Sequence, residues 1–202
     1  MNAVSFLSKP IYPSKIVCIG RNYVEHIQEL GNEIPDEMVV FVKPNSAIGD
    51  QPKTQKKSIH YEAELSFLVK NGRFVGVGIG LDLTKRDLQT KLRNKGLPWE
   101  RAKSFDDSAV FSSFVALPEQ IGALSFELTI NGGSIQQGDI SLMMYKPDVI
   151  LHEVQQFMTL TDGDIVMTGT PKGVGELKRG DLYQAEVRYQ GQVIVSKEWQ
   201  VA

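Results

Sequence analysis

The pattern of apolar and polar residues predicts a strand between Ile59 and Phe67, because every second residue is apolar. The polar residues between them fall on the opposite face, where they place Glu62 and Glu64 side by side. Same-face side chains on a strand lie about 7 Å apart, so two carboxylates can converge on a divalent cation. The alternative is a half-buried strand whose acidic face is solvated.

Other apolar runs predict further short strands, at residues 15–19, 38–42, 74–82, 111–115, 126–130, 165–167, 182–189 and 192–195. Helical spacing and start signals predict helices over residues 23–30, 85–95 and 147–158. Many short strands with few modest helices are typical of a β-rich α+β domain.

Residues that favour the beginning of a helix support these three predictions. Asn22 and Thr84 each precede an acidic residue by three positions, which resembles a capping box. Pro147 suits a first helical position. On this last helix we expect Val154 and Phe157 to face inward.

Composition favours an ordinary globular protein. The 202 residues fit one domain, with 42% hydrophobic residues, 23% charged residues and a net charge of −2. This balance gives no electrostatic reason to expect nucleic acid or a membrane as partner. The single cysteine, Cys18, lies in an apolar run, and no disulfide within the chain is possible. Without a signal-peptide pattern or a long apolar segment, we expect a cytoplasmic protein.

Three further places carry candidate chemistry, each with a purely structural alternative. His26 and Glu29 share one side of the first helix, where a plain surface pair is the alternative. Asp82 ends a buried strand, a position often held by a turn residue. Residues 168–175 are rich in Gly and Thr; they could present main-chain N–H groups to a carboxylate, or simply form a tight turn.

Five motifs taken together resemble the fumarylacetoacetate hydrolase family, in its branch of acylpyruvate hydrolases and oxaloacetate decarboxylases or tautomerases. The resemblance covers the chain from Lys15 to about Val187. Its motifs are Gly20–Tyr23 with His26 and Glu29, and the segments at residues 60–65, 82–89, 96–106 and 163–175.

This resemblance implies a mixed β-sandwich roll of the fumarylacetoacetase C-terminal-domain type, with a few short helices. Residues 1–202 would form one catalytic domain, with an N-terminal arm at 1–14 and a candidate lid helix and connector at 20–36. Family members are usually homodimers, and we expect the same here. The connection between Val69 and Gly76 is shorter than is usual in the family.

The resemblance also implies one Mg²⁺ or Mn²⁺ per chain, held by Glu62, Glu64 and Asp82. Three carboxylates agree with this, because they are hard oxygen ligands that suit these cations better than zinc or copper. Three protein ligands also leave positions for a chelating 2-oxo acid and a water.

Further roles follow from the same resemblance. Lys103 would hold the substrate carboxylate or a developing enolate, and Gln89 would support the reacting carbonyl or water. His26, oriented by Glu29 on the lid helix, would deprotonate water. Gly169 and Thr170 would contact the substrate carboxylate. Arg21 and Arg86 would also contact substrate, or each would instead stabilise structure through carboxylate pairs.

We therefore expect a metal-dependent hydrolase that cleaves a C–C bond of 3-acylpyruvates such as acetylpyruvate or fumarylpyruvate. The same site could decarboxylate oxaloacetate or interconvert its keto and enol forms. One alternative is an isomerase or decarboxylase of aromatic ring-cleavage dicarboxylates of the 2-hydroxyhepta-2,4-dienedioate type. A second is a metal-binding scaffold without turnover, although such a protein would not need the four catalytic candidates.

Overall fold

A computed structural model describes residues 1–29, 35–55 and 58–202. The predicted end of the first helix at residue 30 and most of the predicted connector lie outside these ranges. Within them, no helix combines the length and apolar character that crossing a membrane would require.

Short strands make up most of the regular structure. They are β1 (Val4–Phe6), β2 (Lys9–Ile11), β3 (Lys15–Gly20), β4 (Val39–Pro44), β5 (Ile48–Gly49), β6 (His60–Tyr61), β7 (Ala63–Lys70), β8 (Arg73–Asp82), β9 (Ala109–Phe111), β10 (Val115–Ala116), β11 (Leu124–Ile130), β12 (Gly133–Asp139), β13 (Ile165–Met167), β14 (Gly175–Glu176), β15 (Leu182–Tyr189) and β16 (Gln192–Gln200).

The helices are fewer and shorter. They are α1 (Val24–Glu29), α2 (Arg86–Asn94), α3 (Glu100–Lys103) and α4 (Pro147–Phe157), with 3₁₀ turns at Asn45–Ala47, Ile121–Ala123 and Ile140–Leu142. The sequence pattern predicts α1, α2 and α4 to within a few residues, whereas α3 has no helical signal of its own.

Among the described residues, a mixed sheet has the order β4-β3-β13-β7-β8-β9-β5, with β10 also paired to β8. A four-stranded antiparallel sheet has the order β12-β11-β15-β16. Parallel pairing occurs between β13 and β3 and between β5 and β9. This architecture confirms the predicted β-rich, mixed sandwich roll with few short helices.

The core lies between these layers. Phe67 and Ile79 of the larger sheet belong to one buried cluster with Leu128 and Val187 of the smaller sheet. Helix α4 covers another part of the larger sheet, where its Val154 packs in a second cluster. These contacts hold β7 and β8 inside the molecule; the two strands carry Glu64 and Asp82, and Glu62 directly precedes β7.

Two details of the predicted helices are wrong. Phe157 is 63% exposed instead of facing inward, since α4 ends there. Neither proposed capping box forms: α1 begins at Val24, and α2 has Lys85 at its N-cap without a side-chain cap. Asn22 instead binds main-chain groups of Tyr145 and Thr168, which join distant segments.

Candidate active site

Glu62, Glu64 and Asp82 converge where β7 and β8 lie side by side. A carboxylate oxygen from each lies within 4.8 Å of the other two, and all three residues are buried. The main-chain N–H of Asp82 donates to the carbonyl of Glu62 at 2.8 Å, which aligns the two strands at this point. The predicted convergence is confirmed, and the alternative of a solvated acidic face is wrong.

Lys103, the last residue of α3, places its ammonium between two of these carboxylates. It donates to Glu62 Oε2 at 2.9 Å, to Asp82 Oδ2 at 2.7 Å and to Thr84 Oγ1 at 2.6 Å. Arg86 pairs with the other oxygen of Glu62 and donates to Gln89 Oε1 at 2.8 Å. Lys103 thus lies at the candidate ligands, as predicted, while its role toward substrate stays a prediction.

A second buried lysine, Lys43, also faces the cluster, although the sequence did not mark it as a site residue. Its ammonium lies 2.8 Å from Asp82 Oδ1 and donates to Ser108 Oγ at 3.2 Å and to the main-chain carbonyl of Lys103. A lysine at a strand end usually reaches solvent, so the sequence carries no signal for this contact.

The surrounding charges act differently on the two glutamates. Burial would raise the pKa of Glu62, but the neighbouring Lys103 and Arg86 outweigh it and hold that pKa well below its usual range. Burial, together with the Asp82 and Glu62 carboxylates, raises the pKa of Glu64 well above its usual range. Burial opposes the charge on Lys103, but Asp82 and Glu62 raise the pKa of its ammonium.

These residues fit a divalent cation. The donors are hard carboxylate oxygens, and Glu64 has carboxylate neighbours whose repulsion a cation would relieve. Asp82 Oδ1 contacts Lys43 but has no well-directed hydrogen bond among the described residues, which leaves it an oxygen able to bind metal.

The glycine-rich loop after β13 packs against the carboxylate-bearing strand. The Gly169 N–H donates to Glu64 Oε2 at 2.8 Å, and the Thr170 hydroxyl donates to the Ala63 carbonyl at 2.9 Å. Gly169 has φ +93°, and a Cβ there would lie 2.8 Å from the side chain of Asn22. The loop therefore orients Glu64; the predicted contact of Gly169 and Thr170 with substrate stays a prediction.

Gln136, which sequence reasoning missed, ties this loop to the same strand. Its Oε1 accepts the Ala63 N–H at 3.0 Å, and its Nε2 donates to Thr170 Oγ1 at 2.9 Å and to the Pro171 carbonyl at 3.0 Å. Ala63 lies between Glu62 and Glu64, so Gln136 fixes the main chain between two candidate ligands.

His26 and Glu29 form the predicted pair on α1. His26 is buried, and its Nδ1 lies 3.3 Å from Glu29 Oε2. The Glu29 carboxylate also accepts the Gly173 N–H at 3.0 Å, which attaches α1 to the glycine-rich loop. The base role of His26 stays a prediction.

A cavity of about 40 Å³ joins these groups. Its lining is made by Gly20, Arg21, His26, Phe41, Glu62, Arg86, Gln89, Arg93, Trp99 and Lys103. Six of the predicted site residues thus line one space, whereas five others are not part of its lining: Glu64, Asp82, Glu29, Gly169 and Thr170. Arg93 and the two aromatic residues were not predicted, because nothing in their local sequence marks them.

Comparisons with known proteins show similarity over most of the chain. Residues 15–196 match the family model described as "Fumarylacetoacetate (FAA) hydrolase C-terminal". The chain is 40% identical over 190 residues to an oxaloacetate tautomerase of Escherichia coli, an alignment that covers 84% of this chain and 87% of the relative.

Solved structures of similar proteins have the same fold. A protein of Oleispira antarctica has a TM-score of 0.93 at 35% identity, with 100% of both chains covered. A fumarylpyruvate hydrolase of Pseudomonas aeruginosa, crystallised with Mn²⁺ and pyruvate, has a TM-score of 0.88 at 26% identity, with 100% of this chain and 95% of that chain covered. The similarity therefore extends over the whole fold, including every segment that builds the cavity.

Proposed function

The chain belongs to the fumarylacetoacetate hydrolase family, and we propose that it is a divalent-metal-dependent enzyme that acts on small 2-oxo acids. Its main reaction is the keto–enol tautomerisation of oxaloacetate, and hydrolytic cleavage of 3-acylpyruvates is a second reaction. The observation that carries this proposal is the buried trio of carboxylates beside a cationic cavity. The similarity to an oxaloacetate tautomerase supports oxaloacetate as the first substrate to test.

Glu62, Glu64 and Asp82 would hold the metal, either Mg²⁺ or Mn²⁺. When bound, the cation supplies positive charge beside the oxygens of a 2-oxo acid and so favours the enolate form. The relative crystallised with Mn²⁺ and pyruvate supports this assignment. Lys103 and Lys43 would hold the Asp82 carboxylate in position, because both ammonium groups contact it.

Tautomerisation moves one proton between carbon 3 and the oxygen on carbon 2. His26 lines the cavity and is oriented through Nδ1 by Glu29, so its other ring nitrogen can accept or return that proton. Gln89 receives a hydrogen bond from Arg86 on its oxygen, which directs its amide N–H₂ group to a carbonyl oxygen or a water.

Hydrolysis is favoured as the second reaction by the contact between His26 and Glu29. A carboxylate holds the histidine in the tautomer that can take a proton from water. The resulting hydroxide attacks the distal carbonyl of a 3-acylpyruvate, the C–C bond breaks, and the departing pyruvate enolate takes up a proton. Decarboxylation of oxaloacetate would pass through the same enolate, with CO₂ as the other product.

The test follows the purified protein after chelator treatment, with and without added Mg²⁺ or Mn²⁺. Loss of oxaloacetate enol absorbance without pyruvate release reports tautomerisation, whereas pyruvate release reports decarboxylation. Acetylpyruvate and a ring-cleavage dicarboxylate are assayed in parallel to compare the alternatives. If no 2-oxo acid is turned over with either metal, the protein is a scaffold and the proposal is wrong.

His26→Asn should lower both tautomerisation and hydrolysis by at least about 100-fold, since general acid–base catalysis contributes that much or more. Metal affinity should stay within about twofold, because His26 holds no metal in this proposal. The exposed His152 on α4 offers a matched control, His152→Asn, which should keep full activity. Unchanged rates in His26→Asn would refute its role in proton transfer.

A further inference from the structure

Arg93 is a cavity residue to which the proposed chemistry gives no role. It lies on the same face of α2 as Arg86 and Gln89, seven and four residues before it, so all three side chains point to one side of the helix. Arg93 is half-buried and lines both the cavity and a wider surface groove.

The cavity is strongly cationic. Among its described lining residues, Arg21, Arg86, Arg93 and Lys103 carry positive charge, and Glu62 is the carboxylate. Burial lowers the pKa of Arg93, and the charges of Arg21 and Arg86 lower it further, so these guanidinium groups repel one another. A carboxylate that binds near Arg93 and Arg21 would be attracted by both guanidinium groups.

The cations do not all face the same place. Lys103 and Arg86 contact Glu62, which fixes them at the metal end of the cavity. Arg93 instead lies where the cavity meets the groove, beside Phe41 and Trp99, whose ring centroids are 6.0 Å apart. A substrate whose 2-oxo acid end lies at the metal end would extend its other end toward Arg93.

We propose that Arg93, together with Arg21, binds the second carboxylate of a dicarboxylic 2-oxo acid and so makes the enzyme prefer dicarboxylic over monocarboxylic substrates. A guanidinium group suits this task, because it can bind a carboxylate through two parallel hydrogen bonds. Oxaloacetate carries the second carboxylate, whereas acetylpyruvate ends in a methyl ketone. The inference rests on the proposed function, since it places the 2-oxo acid end at Glu62, Glu64 and Asp82.

The test uses malate and lactate, two unreactive 2-hydroxy acids that differ by the distal carboxylate. In calorimetry with Mg²⁺ present, wild-type protein should bind malate at least about tenfold more tightly than lactate. A charge-assisted hydrogen bond between a guanidinium group and the distal carboxylate contributes a difference of this size. Arg93→Gln should reduce the difference to about twofold, and Arg93→Lys should give an intermediate value, because it keeps the charge without the paired donors.

Arg101→Gln is the matched control, since Arg101 is an exposed arginine on α3 outside the cavity lining. It should keep the full malate preference. A malate preference that survives in Arg93→Gln, a wild-type protein without any preference, or binding of neither acid would overturn the inference.

Kinetic measurements distinguish failure of this inference from failure of the proposed function. Arg93→Gln should lower kcat/KM for oxaloacetate at least about tenfold and that for acetylpyruvate less than about threefold. Equal losses on both substrates would contradict a role in selectivity. If wild-type protein turns over neither substrate yet shows the Arg93-dependent malate preference, the proposed function fails while the anion site stands.

Discussion

At the scale of single residues, the three carboxylates differ in how their charge is compensated. Glu62 pairs with Lys103 and Arg86, and Asp82 contacts Lys103 and Lys43. Glu64 instead accepts a main-chain N–H from Gly169. Burial and the two neighbouring carboxylates therefore raise the pKa of Glu64 well above its usual range in the metal-free protein.

This predicts an unusual pH dependence for the metal-free protein. In the unfolded chain Glu64 loses its proton near its ordinary pKa of about 4.3, whereas the folded protein keeps it to higher pH. Between these two pKa values the folded state binds more protons than the unfolded state. The contribution of Glu64 to the free energy of unfolding must then fall as pH rises, by up to about 1.4 kcal/mol per pH unit.

Glu64→Gln isolates this contribution, because the amide oxygen can still accept the Gly169 N–H. In chelator, the variant should lose less stability than wild type as pH rises from 5 to 8, measured by urea unfolding at each pH. The exposed Glu153→Gln on α4 serves as control and should follow wild type. Parallel curves for wild type and Glu64→Gln would contradict the raised pKa.

How much of the site the sequence predicts depends on the distance between partners along the chain. Glu62, just before β7, and Glu64 within it are two residues apart, so alternation alone predicts that they lie together. Lys43 of β4 reaches Asp82, the last residue of β8, only because the fold brings these separate segments together. No local pattern reports such a contact, and the resemblance to a family supplied the roles that spacing could not.

At the scale of elements, Gln136 of β12 joins β7 to the glycine-rich loop. Gln136→Leu should lower the free energy of unfolding by about 2–4 kcal/mol, because it leaves buried main-chain groups of Ala63 and Pro171 without their partner. Metal affinity should also fall, since Ala63 lies between two candidate ligands. Urea unfolding and metal titration measure the two effects.

The adjacent residue provides the control for this prediction. Gln137 is exposed on the opposite face of β12, where its side chain contacts Glu127 and Ser134. Gln137→Leu should change stability by less than about 0.5 kcal/mol. Similar losses in both variants would show that β12 tolerates neither change and that the buried hydrogen bonds are not the cause.

Helix α1 illustrates what element patterns can and cannot predict. The sequence predicts the apolar spacing and the short length of this helix, but it does not predict which distant residues the helix contacts. Glu29 binds Gly173, 144 residues later, and Asn22 joins two other distant segments instead of capping the helix. Because the cavity measures only about 40 Å³, binding of a substrate requires some movement of its walls, one of which includes His26 of α1.

At the scale of the whole molecule, the sequence predicts the class of fold better than its connectivity. Periodicity identifies most strands, but the parallel pairing of β13 with β3 joins residues about 150 positions apart. Such pairing depends on the completed core, in which both faces of the larger sheet are covered. The homodimer stays a prediction, which sedimentation of the purified protein would test.

Metal binding should stabilise the whole molecule, because the carboxylate trio exists only in the folded chain. At a metal concentration of about 100 times Kd, linkage predicts a gain of about 2.7 kcal/mol, which corresponds to a rise in Tm of about 5–10 °C for a chain of this size. Differential scanning calorimetry at fixed pH, in chelator and in rising Mg²⁺ or Mn²⁺, measures it. Glu64→Gln should lose most of the metal-dependent rise in Tm, whereas the control Glu153→Gln should keep it. A wild-type Tm that neither metal changes would refute the metal site.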